Sequence, residues 1–455
     1  MYLAKKIKLV LYPILITLCL TGCVEKEIFQ ALRDKGLVVK LGPPVLSGTY
    51  AAFYQNGQKK VEGGIRNDQR EGLYTWWYEN GQKKSEGFYK NGKITGLWTS
   101  WYAQGQKESE RIIKNGKISG LVTLWTEQGH KKVEVNYQPE SDGVLWTEWY
   151  DNGQKKEEVA FKGDLVQGLR TLWQESGFKE IEINYKDGKP NGLRSEWYGN
   201  GQKKLEANFL DGQLQGNLIL WFENGHKKVE AFFQNNKKHA TSLWWYENGQ
   251  EKVKAHYQND RLNGEVIRWN QDGWKTSNCQ YKSGNLEGSC FRWDAKTKEN
   301  MKAYYKKDKL YGPLIWRNKF GQKLSQGTYI NNYREGEFIW WIEGKKSVQA
   351  NYEKGKLHGH LTQWVNGVNK TQEFNYSKNR LEGLSTRWSK RGNKLSQLNY
   401  ENNVINGIET TWFPNGQKRY EGHHHKGNID GKWTWWDDNG DLLLTRQYNK
   451  GILMP

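Results

Sequence analysis

The residues able to do chemistry are few, and their spacing limits what they could do. Cys279 and Cys290 flank a turn at Ser283-Gly284-Asn285. In an oxidising compartment such a pair forms a disulfide. Counted from Gly273, their offsets are six and seventeen, which differ in parity. Adjacent strand positions alternate faces, so a regular meander sets the two thiols on opposite faces and a bridge needs a bulge. The alternative is two unpaired thiols filling small core positions. His423-His424-His425 is the one histidine cluster. Alternation leaves at most His423 and His425 to share a zinc or nickel ion, and an exposed cluster at a turn edge is the simpler reading. Glu86, Glu110, Glu134 and Glu158 recur at a fixed interval. A catalytic pair needs one place with two divergent environments, whereas these carboxylates are copies of one charge partner. The chain has no Gly-x-Ser-x-Gly elbow, His-Glu-x-x-His or P-loop. The expectation is a protein that is not an enzyme and carries no cofactor.

What must position these residues is a repeat. Trp77-Tyr78-Glu79-Asn80-Gly81-Gln82-Lys83-Lys84 returns as Trp149 to Lys156 around Gly153, and as Trp197 to Lys204 around Gly201. The anchor glycine falls at Gly57, Gly81, Gly105, Gly129, Gly153, Gly177, Gly201, Gly225, Gly249 and Gly273, every 24 residues. Thr297 takes the next slot and Gly321 resumes the period; Gly344, Gly367 and Gly392 follow with one-residue slips, then Gly416 and Gly440 in register, giving 17 units. Trp lies four residues before the anchor in 14 of them, as at Trp101 and Trp125. A second glycine lies 15 after it, and Tyr or Phe eight after it. Missing such a period would misread the whole fold.

Each unit reads as two short strands and two turns. Asn-Gly is the strongest short hairpin signal, because both residues tolerate positive φ. Trp, Tyr, Val and Thr between the turns favour strand. Even offsets carry Leu at +16, Thr or Ile at +18 and Trp at +20, then Val or Ser at +4, Ala or Gly at +6 and Tyr at +8; Lys at +3 and Glu at +5 are odd. Reflection about the anchor would pair −4 with +4, so all even positions are expected on one aromatic face. The predicted fold is all-β: an elongated antiparallel meander solenoid of about 17 hairpin repeats, about 160 Å long at two strands per unit. Fourteen equivalent indoles suit packing better than glycan stacking.

The carried motif, Trp-Tyr-x-Asn-Gly-Gln-Lys-Lys followed by Glu, Tyr and Asn-Gly-Lys-x-x-Gly-Leu, resembles the MORN-repeat variant, and more closely the YwqK-type antitoxins. The resemblance covers about residues 48–447. It implies a hairpin-repeat fold that serves as an interaction surface, and the antitoxin grouping implies a partner toxin that the protein neutralises.

The N-terminus has a different character. Lys5, Lys6 and Lys8 precede an apolar run from Leu9 to Leu20, too short to span a bilayer as an ordinary helix. Leu20-Thr21-Gly22-Cys23 resembles a bacterial lipobox. The expected organisation is a lipoprotein signal peptide over 1–22, a tether or cap over 23–47 with lipid on Cys23, and a repeat array over 48–455. Residue 24 is Val and not Asp, which by resemblance to sorted lipoproteins favours the outer membrane. Several acyl chains give a stable anchor where one gives a marginal one.

Net charge is +19 and mean hydropathy −0.94. Such polarity ordinarily signals disorder, but 24 Trp and 25 Tyr in register argue for order. Lys-Lys-x-Glu partly neutralises itself, which makes a solvated face the plain reading. The sharper one is attraction to anionic envelope lipids or polymers. Basic residues among aromatics suit single-stranded nucleic acid as well, and the export signal excludes that partner. The functional expectation is a lipid-anchored scaffold for an unknown protein partner, with a structural or surface-binding role as the alternative.

Overall fold

The computed structural model describes residues 47–138, 143–294 and 296–455. The expected signal peptide, Cys23 and the tether before residue 47 lie outside the described residues. Every regular element among the described residues is a β-strand. The chain divides into two compact units, one ending at Gly225 and one beginning at His226. In the first, strands run from Ser47–Phe53 to Gln213–Trp221; in the second, from Lys227–Gln234 to Ile452–Leu453. Within each unit, strands consecutive in sequence pair antiparallel, so each is a β-meander of hairpin repeats.

The two turns of a repeat differ. Asn91-Gly92 joins Lys83–Lys90 to Lys93–Trp101, with Lys90 opposite Lys93. Its φ values are 49° and 71°, the double positive φ of the type I′ hairpin turn that matches strand twist. The anchor turn is wider. Trp77 pairs with Lys83, leaving five residues in the loop. Gly81 has φ 85°, whereas Asn80 is not left-handed. The Asn80 side chain instead accepts from Gln82 N at 3.0 Å and donates to Ala103 O at 2.8 Å. Tyr78 Oη donates to Trp101 O at 2.9 Å. The Trp-Tyr-x-Asn-Gly motif is therefore a stacking device: each anchor turn is tied to the one 24 residues on. Tyr54, Tyr102, Tyr150 and Tyr198 repeat the tyrosine bond.

The expected face assignment is overturned. A two-residue loop pairs positions whose numbers sum to an odd value, so even offsets on one strand face odd offsets on the next. Tyr89 at +8 lies opposite Ile94 at +13, Gly87 at +6 opposite Trp98 at +17, and Ser85 at +4 opposite Ser100 at +19. At the anchor turn Trp77 still pairs even with even, with Lys83, but a bulge at Lys84 then shifts the register and Ser85 pairs with Trp76, at −5. One face thus carries +4, +6 and +8 with +13, +17 and +19; it is called here the ring face. Its core in the first unit is Val61, Tyr74, Tyr89, Trp98 and Ile113, and farther on Val122, Val133, Val135, Trp146, Val159 and Phe161. Leu at +16, expected there, is on the other face and open to solvent at Leu73, Leu97, Leu121, Leu169 and Leu193. The motif tryptophans Trp101, Trp125, Trp149 and Trp197 lie with them, half-buried.

Between the +8/+13 and +6/+17 pairs the second strand carries two extra residues. Gly96 sits in that bulge at φ 78°, with open space where a Cβ would go; it is glycine for its backbone conformation. Gly87 is glycine for the opposite reason. A Cβ on it would meet Trp98 Cε3 at 2.3 Å. The same relation joins Gly63 to Tyr74, Gly327 to Phe338 and Gly422 to Trp433. Elsewhere the pair is medium with medium, as Ala255 with Val266.

Gly87→Ala is therefore expected to destabilise the first unit by about 1–3 kcal/mol through overpacking. Combined with Trp98→Val, which copies the Ala255–Val266 pair, it should cost clearly less than the sum of the single changes. Thermal unfolding of the four proteins tests this, and additive losses would show that the ring does not press on Gly87.

Candidate interaction surface

The face opposite the rings is built from one module. Lys at +2 and Glu at +5 alternate with the motif Trp. Lys83 Nζ lies 2.7 Å from Glu86 and 5.5 Å from the ring centroid of Trp101. Lys107 is 2.6 Å from Glu110 and 5.7 Å from the Trp125 ring. Lys131 is 2.9 Å from Glu134 and 5.4 Å from Trp149, and Lys179 2.8 Å from Glu182 and 5.8 Å from Trp197. In the second unit Lys370 and Lys418 pair with Glu373 and Glu421 and cover Trp388 and Trp436. Thr at +18 closes the module from below, Thr75 Oγ1 donating to Glu86 Oε2 at 3.0 Å. The second lysine of the doublet, across the bulge, lies instead toward the ring face and covers the motif tyrosine of its own turn, as Lys84 over Tyr78 at 5.4 Å. Each cation–π contact is worth about 0.5–1 kcal/mol at an exposed site. Both lysines are thus held by rings, which explains why the doublet follows Trp-Tyr so regularly. The row is aromatic and close to neutral, not a bare basic stripe.

Beside this row in the first unit lies an apolar stripe. Leu73 pairs across strands with Phe88, and Leu97 with Ile112. Phe88 and Leu97 are 50% and 51% exposed, and Leu121 continues the line. At the next +7 position the side chain is Asn136, which is exposed, and Ala160 and Asn184 follow. Lys90, Lys93, Lys114 and Lys117 are exposed at the type I′ turns next to the stripe.

Cys279 and Cys290 are joined by a disulfide, with Cα atoms 3.9 Å apart and both residues buried. They occupy a +6/+17 pair on the ring face. The expected obstacle of parity is removed by the two-residue turn at Ser283-Gly284, and the bond replaces the ring-and-small-residue packing of other repeats. His423 and His425 are exposed on the lysine face, and His424 is buried on the ring face in the tyrosine slot. Among the described residues no group of three or more His, Cys, Asp or Glu could hold a metal, so His423 and His425 have no third ligand. His424 Nε2 lies 2.7 Å from Glu409 Oε2, and Tyr420 Oη donates to Glu409 Oε1 at 2.8 Å. Tyr420 is pushed up, first by burial and then by its bond to Glu409. Sequence reading missed this trio because Glu409 stands at a +17 position that was assigned to the wrong face.

The arrangement defines a hairpin-repeat protein with side chains placed for contact. Five stretches, residues 70–91, 144–162, 238–259, 405–426 and 429–450, match the model of the MORN repeat variant. No curated protein matches the chain. Among solved structures, the crystal structure of TcdB2-TccC3 aligns over 89% of this chain and 24% of that one, at 10% identity and a TM-score of 0.15. TcdB2-TccC3-Cdc42 aligns over 86% and 28%, at 9% identity and a TM-score of 0.14. The chain spans about a quarter of the length of these proteins, a likeness too slight to speak to function.

Glu421 reports whether the module forms. Its carboxyl is held below the ordinary carboxylate range, first by the hydrogen bond from Lys418, with burial opposing and Thr410 assisting. A depressed carboxyl stabilises the fold above its unfolded-state pKa, and that contribution is lost as pH falls through the folded-state value. For so exposed a pair it amounts to a few tenths of a kcal/mol at most. Lys418→Met should move the Glu421 titration upward in carbon-detected NMR; an unmoved titration would mean the pair does not form in solution.

Proposed function

We propose that this chain is a non-enzymatic, lipid-anchored repeat scaffold, held at the outer membrane through Cys23, that binds a protein partner along its lysine–tryptophan face in the way an antitoxin or immunity protein holds its toxin. The exposed stripe of Leu73, Phe88, Leu97, Ile112 and Leu121 carries this reading. Contiguous exposed apolar side chains rimmed by polar ones mark interaction sites, and the stripe ends at Leu121, whose cross-strand partner is Asn136. The neutral Trp–Lys–Glu row beside it offers equivalent contacts at each repeat, which add by avidity when a partner has repeated epitopes. The lysines of the neighbouring turns favour a second reading, in which the same edge adheres to anionic lipids or glycans of the envelope.

Affinity purification from membranes of the native organism separates the two. The first reading expects one stoichiometric protein, lost when Leu97→Ser and Ile112→Ser are introduced together with no change in melting temperature. Recovery of nonspecific proteins only, with salt-sensitive sedimentation on anionic vesicles, would replace the first reading by the second. Anchoring is tested separately: Cys23→Ser should move the protein from the membrane to the soluble fraction, and unchanged attachment would reject lipid as the tether.

A further inference from the structure

The repeat supplies its own controls, and one place departs from it at several positions at once. At +3, lysine is frequent, as Lys60, Lys84 and Lys132, but the third repeat has Glu108, as a later one has Glu180. At +6, small or apolar residues are the rule, as Gly63, Gly87, Val135 and Ala207, but the third repeat has Arg111. At +19, Trp76 and Leu124 flank Ser100, and at +4 Val61 and Val133 flank Ser85 and Ser109. These departures meet on the ring face of the first unit. Together with Trp76, Lys84 and Trp98, the residues Ser85, Ser100, Glu108 and Arg111 line one cavity there, of about 230 Å³. Removing bulk at Ser85 and Ser100 opens it, and the same repeat brings an acid and a base to it.

Arg111 is 7% exposed, its guanidinium carbon lies 5.9 Å from the centroid of Trp98, and its Nε meets no protein acceptor. A buried guanidinium with an unmet donor is costly, and an acceptor brought by a ligand would relieve that cost. Burial holds the Arg111 guanidinium below its ordinary range with Glu108 opposing, and pushes the Glu108 carboxyl up with Arg111 and Lys84 opposing. The two cations outnumber the acid, so the cavity favours a ligand with one negative charge. The indoles of Trp76 and Trp98, with centroids 5.2 Å apart, give an apolar floor. Ser85, Ser100 and Glu108 give hydroxyl-sized donors and acceptors at its rim.

We propose that this cavity binds a carboxylate-bearing sugar ring, a uronic acid unit. Arg111 and Lys84 take the carboxylate, the bidentate fork of Arg111 setting its direction; the ring lies on the indoles; Glu108 and the two serines take the ring hydroxyls. The volume is below the range of drug-sized pockets and matches a single ring. The site faces away from the stripe assigned to the protein partner, so it stands or falls independently of that reading.

The test is titration of the full chain with glucuronate, glucose and hexanoate, read by saturation-transfer NMR and by tryptophan fluorescence. Glucuronate should bind saturably, with glucose and hexanoate weaker by about tenfold or more, a difference of about 1.4 kcal/mol. Arg111→Ala copies the alanine that Ala207 and Ala231 place at the same position of well-packed repeats, so the variant should fold, and it should lose about tenfold or more in glucuronate affinity. Arg194→Ala, at a half-exposed arginine paired with Glu196 in another repeat, should leave binding unchanged. Absence of saturable glucuronate binding, equal binding by the Arg111→Ala protein, or hexanoate binding as tightly as glucuronate would each overturn the proposal.

Discussion

The structure rests on the cross-strand pair that joins position +6 of one strand to +17 of the next. A single sheet has no second layer to bury its side chains against, so burial has to come from neighbours on the same face. At this pair the solution is complementary size. Trp98 lies over Gly87, Phe338 over Gly327 and Trp433 over Gly422, and where neither partner is large the space is filled by two medium residues or by the Cys279–Cys290 bond. The two-residue turn makes the pairing possible, since it sets an even position opposite an odd one. With any other loop parity, Trp98 would face solvent and Leu97 the core.

That dependence also explains what could and could not be read beforehand. The repeat, its strands, its turn sites and the all-β meander are legible because they rest on period and residue type, which survive any error of pairing. Face assignment is not legible in the same way. Counting parity through Asn80-Gly81 as though the turn reflected the chain about one residue put Trp101, Leu97 and Val133 together. The two-residue Asn91-Gly92 turn and the one-residue bulge at Lys84, just past the five-residue anchor loop, each shift the partner by one. The second glycine, Gly96, was recognised as recurrent, but its reason, a left-handed residue inside a bulge, depends on a hydrogen-bond register that no residue type announces.

The same correction changes how the charge is understood. Read as a string, Lys-Lys-x-Glu is a solvated doublet beside a carboxylate. In the sheet, Lys83 lies over the indole of the next repeat and is bonded to Glu86, while Lys84 lies over the phenol of its own turn. A lysine held over an aromatic ring covers apolar surface with its methylene stem while its ammonium stays wet. The tryptophan row is therefore close to neutral, and uncovered positive charge lies at type I′ turns such as those of Lys90, Lys93, Lys114 and Lys117, which are exposed.

A repeat array has a further property that a globular domain lacks. Its units are each other's reference states, because position +6 of one repeat meets nearly the same backbone as position +6 of the next. A residue that departs from the repeat therefore cannot be explained by the demands of the fold alone, since other copies meet those demands without it. Arg111 is such a residue: Gly87 and Val135, one repeat away on either side, show that the sheet closes without a guanidinium there. Glu409 and His424 form a second case, an acid and an imidazole in slots held elsewhere by apolar or tyrosine side chains; the two meet at 2.7 Å, and only His424 Nδ1 is left without a protein partner. Arg111 has no such protein acceptor at Nε. A departure whose charged groups bond one another, as Glu409 and His424 do, is a structural variation; a buried guanidinium whose Nε meets no acceptor points to a site.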